Sequence, residues 1–132
     1  MEASELMIGD LVTFKDCQYD KDMVVIKIYE INQEGNAFVF IDDSEVLDEV
    51  TIDEEFVGIP LTQEILEKNG FNIEIAPYTP DWKRCILNPN FFLEDRLKGC
   101  YHFNGNNLAK INYVHELQHA LKLCRIEKNI II

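Results

Sequence analysis

A chain of 132 residues, 47% of them hydrophobic and 11% aromatic, fits one domain or one domain built from two small lobes, and it folds without disulfide staples. Its apolar runs at 23–26, 37–41 and 130–132 fall far short of the roughly 20 residues that cross a bilayer. The acidic start Met1-Glu2-Ala3-Ser4-Glu5 has neither the basic nor the apolar region of a signal peptide, so a cytoplasmic protein with no membrane partner is expected.

The formal net charge of −12 is unevenly spread: residues 1–60 hold 16 acids and 3 lysines, a net of −13, while 61–132 hold 8 acids and 9 bases, a net of +1. A field of that sign repels nucleic-acid phosphates and attracts basic surfaces. Direct nucleic-acid binding is therefore not expected.

The first half reads as β-structure. Residues 6–14 contain the apolar segment Ile8-Gly9-Asp10-Leu11-Val12 with a glycine bend. A polar loop, 15–22, leads to a β-branched run at 23–31, and Asn32-Gln33-Glu34-Gly35-Asn36 is turn chemistry. A short strand at 37–41 follows. Residues 45–52 alternate, with Val46, Val50 and Ile52 on one face and Glu45, Glu49 and Thr51 on the other. Four or five short strands at this spacing predict a small, bent antiparallel sheet or an SH3-like barrel over 1–60.

Pro60 marks a change. Thr62 suits the N-cap of a short helix through Ile65 and Leu66, and Gly70 suits its end. Strands are then expected at 71–76, 82–87, 91–94 and 99–103, with turns at Asn88-Pro89-Asn90 and Asn104-Gly105. The strongest helix comes last: Asn112 as cap, Val114, Leu117, Leu121 and Cys124 at helical spacing, and Lys122, Arg125 and Lys128 near its C-terminal end. The class is α+β, with an acidic β-rich lobe at 1–60 and a hairpin-plus-helix lobe at 61–132.

His115-Glu116-Leu117-Gln118-His119 matches H-E-x-x-H, in which two histidines on one side of a helix hold zinc and the glutamate is general base. A catalytic zinc needs a third ligand. Lys122 and Arg125 occupy the positions of the extended form's Gly and His, and Glu127 follows too closely to come from a separate helix. At about 100° per residue the apolar stripe centres roughly opposite His115 and His119, so two surface histidines are expected. His102 or Cys100 from the neighbouring hairpin would be needed to complete a metal site. The zinc hydrolase stays as an alternative; the leading expectation is no enzyme, no catalytic residues, no metal and no cofactor.

Other chemistry is weaker. Cys17, Cys85, Cys100 and Cys124 have no zinc-knuckle or thioredoxin-like spacing and read as reduced thiols. The acidic run from Asp42 to Asp53 resembles a calcium loop, but Leu47 stands where glycine is needed. There is no glycine-rich phosphate loop, and the two serines, Ser4 and Ser44, lack a nucleophile context.

Eight acids and no base fall between 42 and 55: Asp42, Asp43, Glu45, Asp48, Glu49, Asp53, Glu54 and Glu55. One reading is a solvated edge that blocks aggregation. The other is a partner-binding patch that imitates a nucleic-acid backbone, with Tyr19, Tyr29 and Phe91-Phe92 as candidate apolar anchors.

Three ordered blocks, Leu6-x-Ile8-Gly9-Asp10-x-Val12, Ile59-Pro60-Leu61-Thr62-x-x-Ile65-Leu66-x-x-x-Gly70-Phe71 and Tyr113-Val114-His115-Glu116-Leu117-Gln118, resemble small proteins of phages and mobile elements from Bacteroidetes-type bacteria. The resemblance spans most of the chain and departs between Asn72 and Asn90. It implies no catalytic residues. It does imply a phage setting, in which small acidic proteins often inhibit host defence as anti-CRISPR proteins do. The expected function is thus a non-enzymatic inhibitor that binds a host protein with a basic nucleic-acid-binding surface, such as a ribonucleoprotein of the RNA-guided Cas13 type. A phage accessory module that recruits another phage protein is the other non-enzymatic alternative.

Overall fold

The computed structural model describes residues 3–75, 82–97, 100–106 and 109–132. Met1, Glu2, Ala76 and Gly99, which fall within segments interpreted above, lie outside the described residues. In chain order the first strands are β1 (Leu11–Phe14), β2 (Ile26–Ile31), β3 (Asn36–Ile41), β4 (Leu47–Thr51) and β5 (Phe56–Gly58), followed by helix α1 (Gln63–Lys68). Then come β6 (Asn72–Ile75), β7 (Lys83–Asn88), β8 (Phe91–Leu97), β9 (Cys100–Phe103), β10 (Lys110–Ile111) and helix α2 (Val114–Leu123). The fold is α+β, with two antiparallel five-stranded sheets ordered β4-β3-β2-β1-β5 and β10-β9-β8-β7-β6. None of the described helices is long and apolar enough to cross a membrane.

The chain divides into two compact units, Met1–Pro60 with Tyr113–Cys124, and Leu61–Asn112 with Arg125–Ile132. The division near residue 60 coincides with the charge boundary, while α2 groups with the first unit.

In the first unit the sheet is open and not closed into a barrel. Alternation places Val12, Ile26, Ile28, Ala37, Val39 and Phe56 in one buried cluster, with Leu6 joining them and Phe14, Ile41 and Val50 at its margin. Strand β1 begins only at Leu11, because Gly9 takes φ +93° while its N–H bonds the Ile28 carbonyl at 2.7 Å. Tyr29 is the extra residue where the β2–β3 register shifts between Ile28 and Glu30. Asn32 organises the β2–β3 turn by accepting from the Glu34 and Asn36 N–H groups, both at 3.0 Å.

Gln118 on α2 treats β1 as a neighbouring strand would. Its amide donates to the Gly9 carbonyl and accepts from the Leu11 N–H, both at 2.9 Å. The N-cap of α2 is Tyr113 rather than the expected Asn112, and the Tyr113 N–H donates to the Glu116 carboxylate at 3.0 Å.

In the second unit, Thr62 caps α1 by accepting from the Ile65 N–H at 3.2 Å, and Gly70 leaves the helix at φ +87°. Register aligns Ile73, Cys85, Leu93 and Phe103 across β6 to β9 on one face. Glu74, Arg84, Glu94, His102 and Lys110 form a row across all five strands on the other face. Phe91 makes ring contacts with Phe71 and Phe103 at centroid distances of 6.2 and 4.9 Å. Asn69, buried, donates to the Ile65 and Ile131 carbonyls and accepts from the Ile131 N–H, which fastens the C-terminal segment.

Candidate functional site

All eight carboxylates of the acidic stretch are solvent-exposed. Their positions follow from the strand that carries them. β4 is an edge of the first sheet; Asp42, Asp43 and Glu45 occupy the turn that enters it, and Asp53, Glu54 and Glu55 the turn that leaves it. On the strand itself, Asp48 stands opposite Val39 on the core side, and Glu49 opposite Phe38 on the other. The charge therefore lines both ends and both faces of one edge.

Several of these acids also serve local geometry. Asp42 and Asp43 adopt φ +49° and +60°, a left-handed pair that short polar side chains tolerate. The Ser44 N–H closes that turn on the Ile41 carbonyl at 3.0 Å. Asp42 Oδ1 accepts from the Val25 N–H at 2.9 Å, and Asp53 Oδ1 from the Glu55 N–H at 2.9 Å. Glu49 Oε1 accepts from the Asn36 amide at 3.2 Å. Among the described residues, Asp42, Asp43, Glu45, Asp48, Glu49, Glu54 and Glu55 form no salt bridge. An edge strand with an inward-facing aspartate resists strand addition, yet charges left without internal counterions also keep their full attraction for an external cation.

Close to this edge the open sheet leaves a depression of about 440 Å³. The half-buried Phe14 and Val50 and the buried Phe56 line it, with the carboxylates of Asp16, Asp53 and Glu55 and the exposed Thr51. The register Phe14↔Phe56 sets the two rings side by side on β1 and β5, edge to face at 5.4 Å. Sequence reasoning missed Phe14 and Asp16, because only strand pairing brings them to the acidic stretch.

The candidate anchors separate. Tyr19 is 84% and Tyr29 51% exposed, whereas Phe91 is only 1% exposed and belongs to the core of the second unit. Phe92 is half-buried, with the Arg84 guanidinium 5.9 Å from its ring.

The two histidines of H-E-x-x-H are not both at the surface, which corrects the expectation of two surface histidines. His115 is only 6% exposed and stacks on Tyr113 at 5.8 Å, and its ring meets that of His119 at 5.7 Å. His119 Nε2 lies 2.7 Å from Asp10 Oδ2, and Asp10 is fully buried. The apolar stripe does not mark the whole buried side of α2, because Gln118, His119 and Lys122 all bond to the segment Ile8–Leu11 on a side of the helix without apolar residues. Burial lowers the His115 pKa, although Asp10 and Glu116 oppose it. Among the described residues, no group of three or more His, Cys, Asp and Glu side chains is placed to hold a metal ion.

The four cysteines are free thiols. Burial, reinforced by Asp95, pushes the Cys85 thiol up to about 12. Cys100 Sγ sits 3.8 Å from His102 Nε2.

In comparisons with known proteins, no family model, no curated protein and no solved structure matches the chain.

Proposed function

We propose that the chain is a non-enzymatic inhibitor that docks onto the basic nucleic-acid-binding surface of a host defence protein, as anti-CRISPR proteins do. The supporting observation is the β4 edge: eight exposed carboxylates, seven of them without a salt bridge among the described residues, in a segment that contains no base. Such an edge speeds encounter with a cationic groove and competes there with phosphate. Tyr29 contributes an exposed aromatic surface beside the charge; its ring meets Phe40 of the neighbouring strand at 5.6 Å.

The test is capture from lysate of a bacterium that carries RNA-guided nucleases, followed by assay of the captured nuclease. The proposal expects a complex that survives nuclease digestion, weakens as salt rises, and has lost target cleavage. Reversal of Asp42, Asp43, Asp48 and Glu49 to lysine should abolish capture. Equal capture by that variant refutes the role of the edge, and undiminished cleavage in the complex refutes inhibition.

A further inference from the structure

We infer that the depression between the edges of the first sheet receives an arginine side chain from the basic partner. This inference rests on the docking reading above and narrows it to one place and one chemistry.

Two features of the depression select the guest. Its wall is apolar and partly aromatic, from the half-buried Phe14 and Val50 over the buried Phe56, and among the described lining residues Asp16, Asp53 and Glu55 are acidic and none is lysine, arginine or histidine. An apolar wall alone would admit any hydrophobic side chain, but three carboxylates beside it make the site hostile to neutral guests and to anions. A lysine ammonium satisfies the charge yet is strongly hydrated and gains little from an aromatic wall. A guanidinium is planar and weakly hydrated, stacks on rings, and offers paired donors to carboxylates. Arginine therefore uses both features at once.

The site exists because the sheet stays open. Val50 and Thr51 come from β4, Phe14 from β1 and Phe56 from β5, so both edge strands of the order β4-β3-β2-β1-β5 contribute. Asp53 and Glu55 lie in the link between those edges, and Asp16 lies in the 3-10 turn Lys15–Cys17 that follows β1. Asp53 and Glu55 thus sit on a short connection whose ends are fixed by strand pairing, and Asp16 sits two residues beyond the end of β1.

The experiment titrates the isotopically labelled full chain with hexa-arginine and hexa-lysine peptides of equal charge at low salt. Amide signals of Phe14, Asp16, Thr51 and Glu55 should shift and saturate, and hexa-arginine should bind about three-fold or more tightly than hexa-lysine, the scale of an exposed cation–π contact. Asp16→Asn with Glu55→Gln should weaken hexa-arginine about ten-fold, as loss of two charge-assisted contacts implies. Glu45→Gln with Asp48→Asn removes the same charge elsewhere on the edge and should cost clearly less, about two- to three-fold, as loss of screened edge charge alone implies. The Phe14→Leu variant should erase the preference for arginine. If both double variants weaken binding alike and shifts spread evenly along β4, the arginine site is refuted while acidic docking stands. If neither peptide binds, both are refuted.

Discussion

Asp10 and His119, 109 residues apart, meet at 2.7 Å. Asp10 is completely buried, His119 keeps a quarter of its side chain exposed, and the same Asp10 oxygen accepts from the Met7 N–H at 2.7 Å. Loss of the imidazole leaves a buried carboxylate short of a partner. His119→Ala should cost about 2–4 kcal/mol at neutral pH, less than a fully enclosed pair because the ring is partly wet. The double variant with Asp10→Asn should recover part of that loss, because no stranded charge remains. Urea unfolding of the four proteins measures both; a double variant less stable than His119→Ala would show that charge burial is not the issue. Because Nε2 already faces Asp10 and Glu116 binds the Tyr113 N–H, excess zinc should leave the melting temperature unchanged. A rise would revive the metal reading.

His115 sets a direction for pH dependence. Burial lowers its pKa, and His119 adds to that, against opposing pulls from Asp10, Glu116 and Glu5. The unfolded chain takes up this proton near pH 6.5, whereas the folded chain resists to lower pH. Its contribution to stability is therefore full above about pH 6.5 and is lost as pH falls towards the folded value. The slope is at most about 1.4 kcal/mol per pH unit for one proton. His115→Phe preserves an aromatic partner for Tyr113 without the titration. Its stability should fall less steeply between about pH 7.5 and 5.5; parallel curves would assign the acid loss to other groups.

Gly58 is required by a ring. A Cβ there would meet Tyr113 Cγ at 2.5 Å and Cβ at 2.8 Å, atoms near the root of the side chain that cannot swing clear. Gly58→Ala should destabilise by about 1–3 kcal/mol, the range for overpacking. Added Tyr113→Ala should relieve most of the clash, and additive costs in chemical denaturation would disprove it.

Thiol labelling should rank the cysteines by burial. Cys124 is exposed, Cys17 and Cys100 are intermediate, and Cys85 is buried with its thiol pushed up to about 12. A disulfide reagent near neutral pH should modify Cys124 first and reach Cys85 only on unfolding. Mass-mapped kinetics read this directly, and early modification of Cys85 would mean that the second sheet opens readily.

Much of the fold was legible because the hydrophobic period was clean. Val114, Leu117 and Leu121 announce α2, Thr62 and Gly70 bracket α1, and the alternation through Ile26, Ile28, Ala37 and Val39 announces the first sheet. The shortest strands were not legible. β5 has three residues and β10 two, and each exists because a neighbouring strand supplies its partners. The site was half legible. Eight acids in fourteen positions are visible in the chain, but Asp16 and Phe14 join them only through the β1–β5 register. The position of His119 was hidden for a similar reason: its partner Asp10 lies more than a hundred residues away.

The order in which the chain is made now matters. α2 follows residue 112 yet completes the unit formed by the first sixty residues, and Gln118 supplies the partners of Gly9 and Leu11. As the polypeptide leaves the ribosome, Gly9 and Leu11 must wait until Gln118 has emerged, more than a hundred residues later, before those groups are satisfied. A fragment that ends before Gln118 leaves those groups without these partners, so such truncated products should be more readily proteolysed than the full chain.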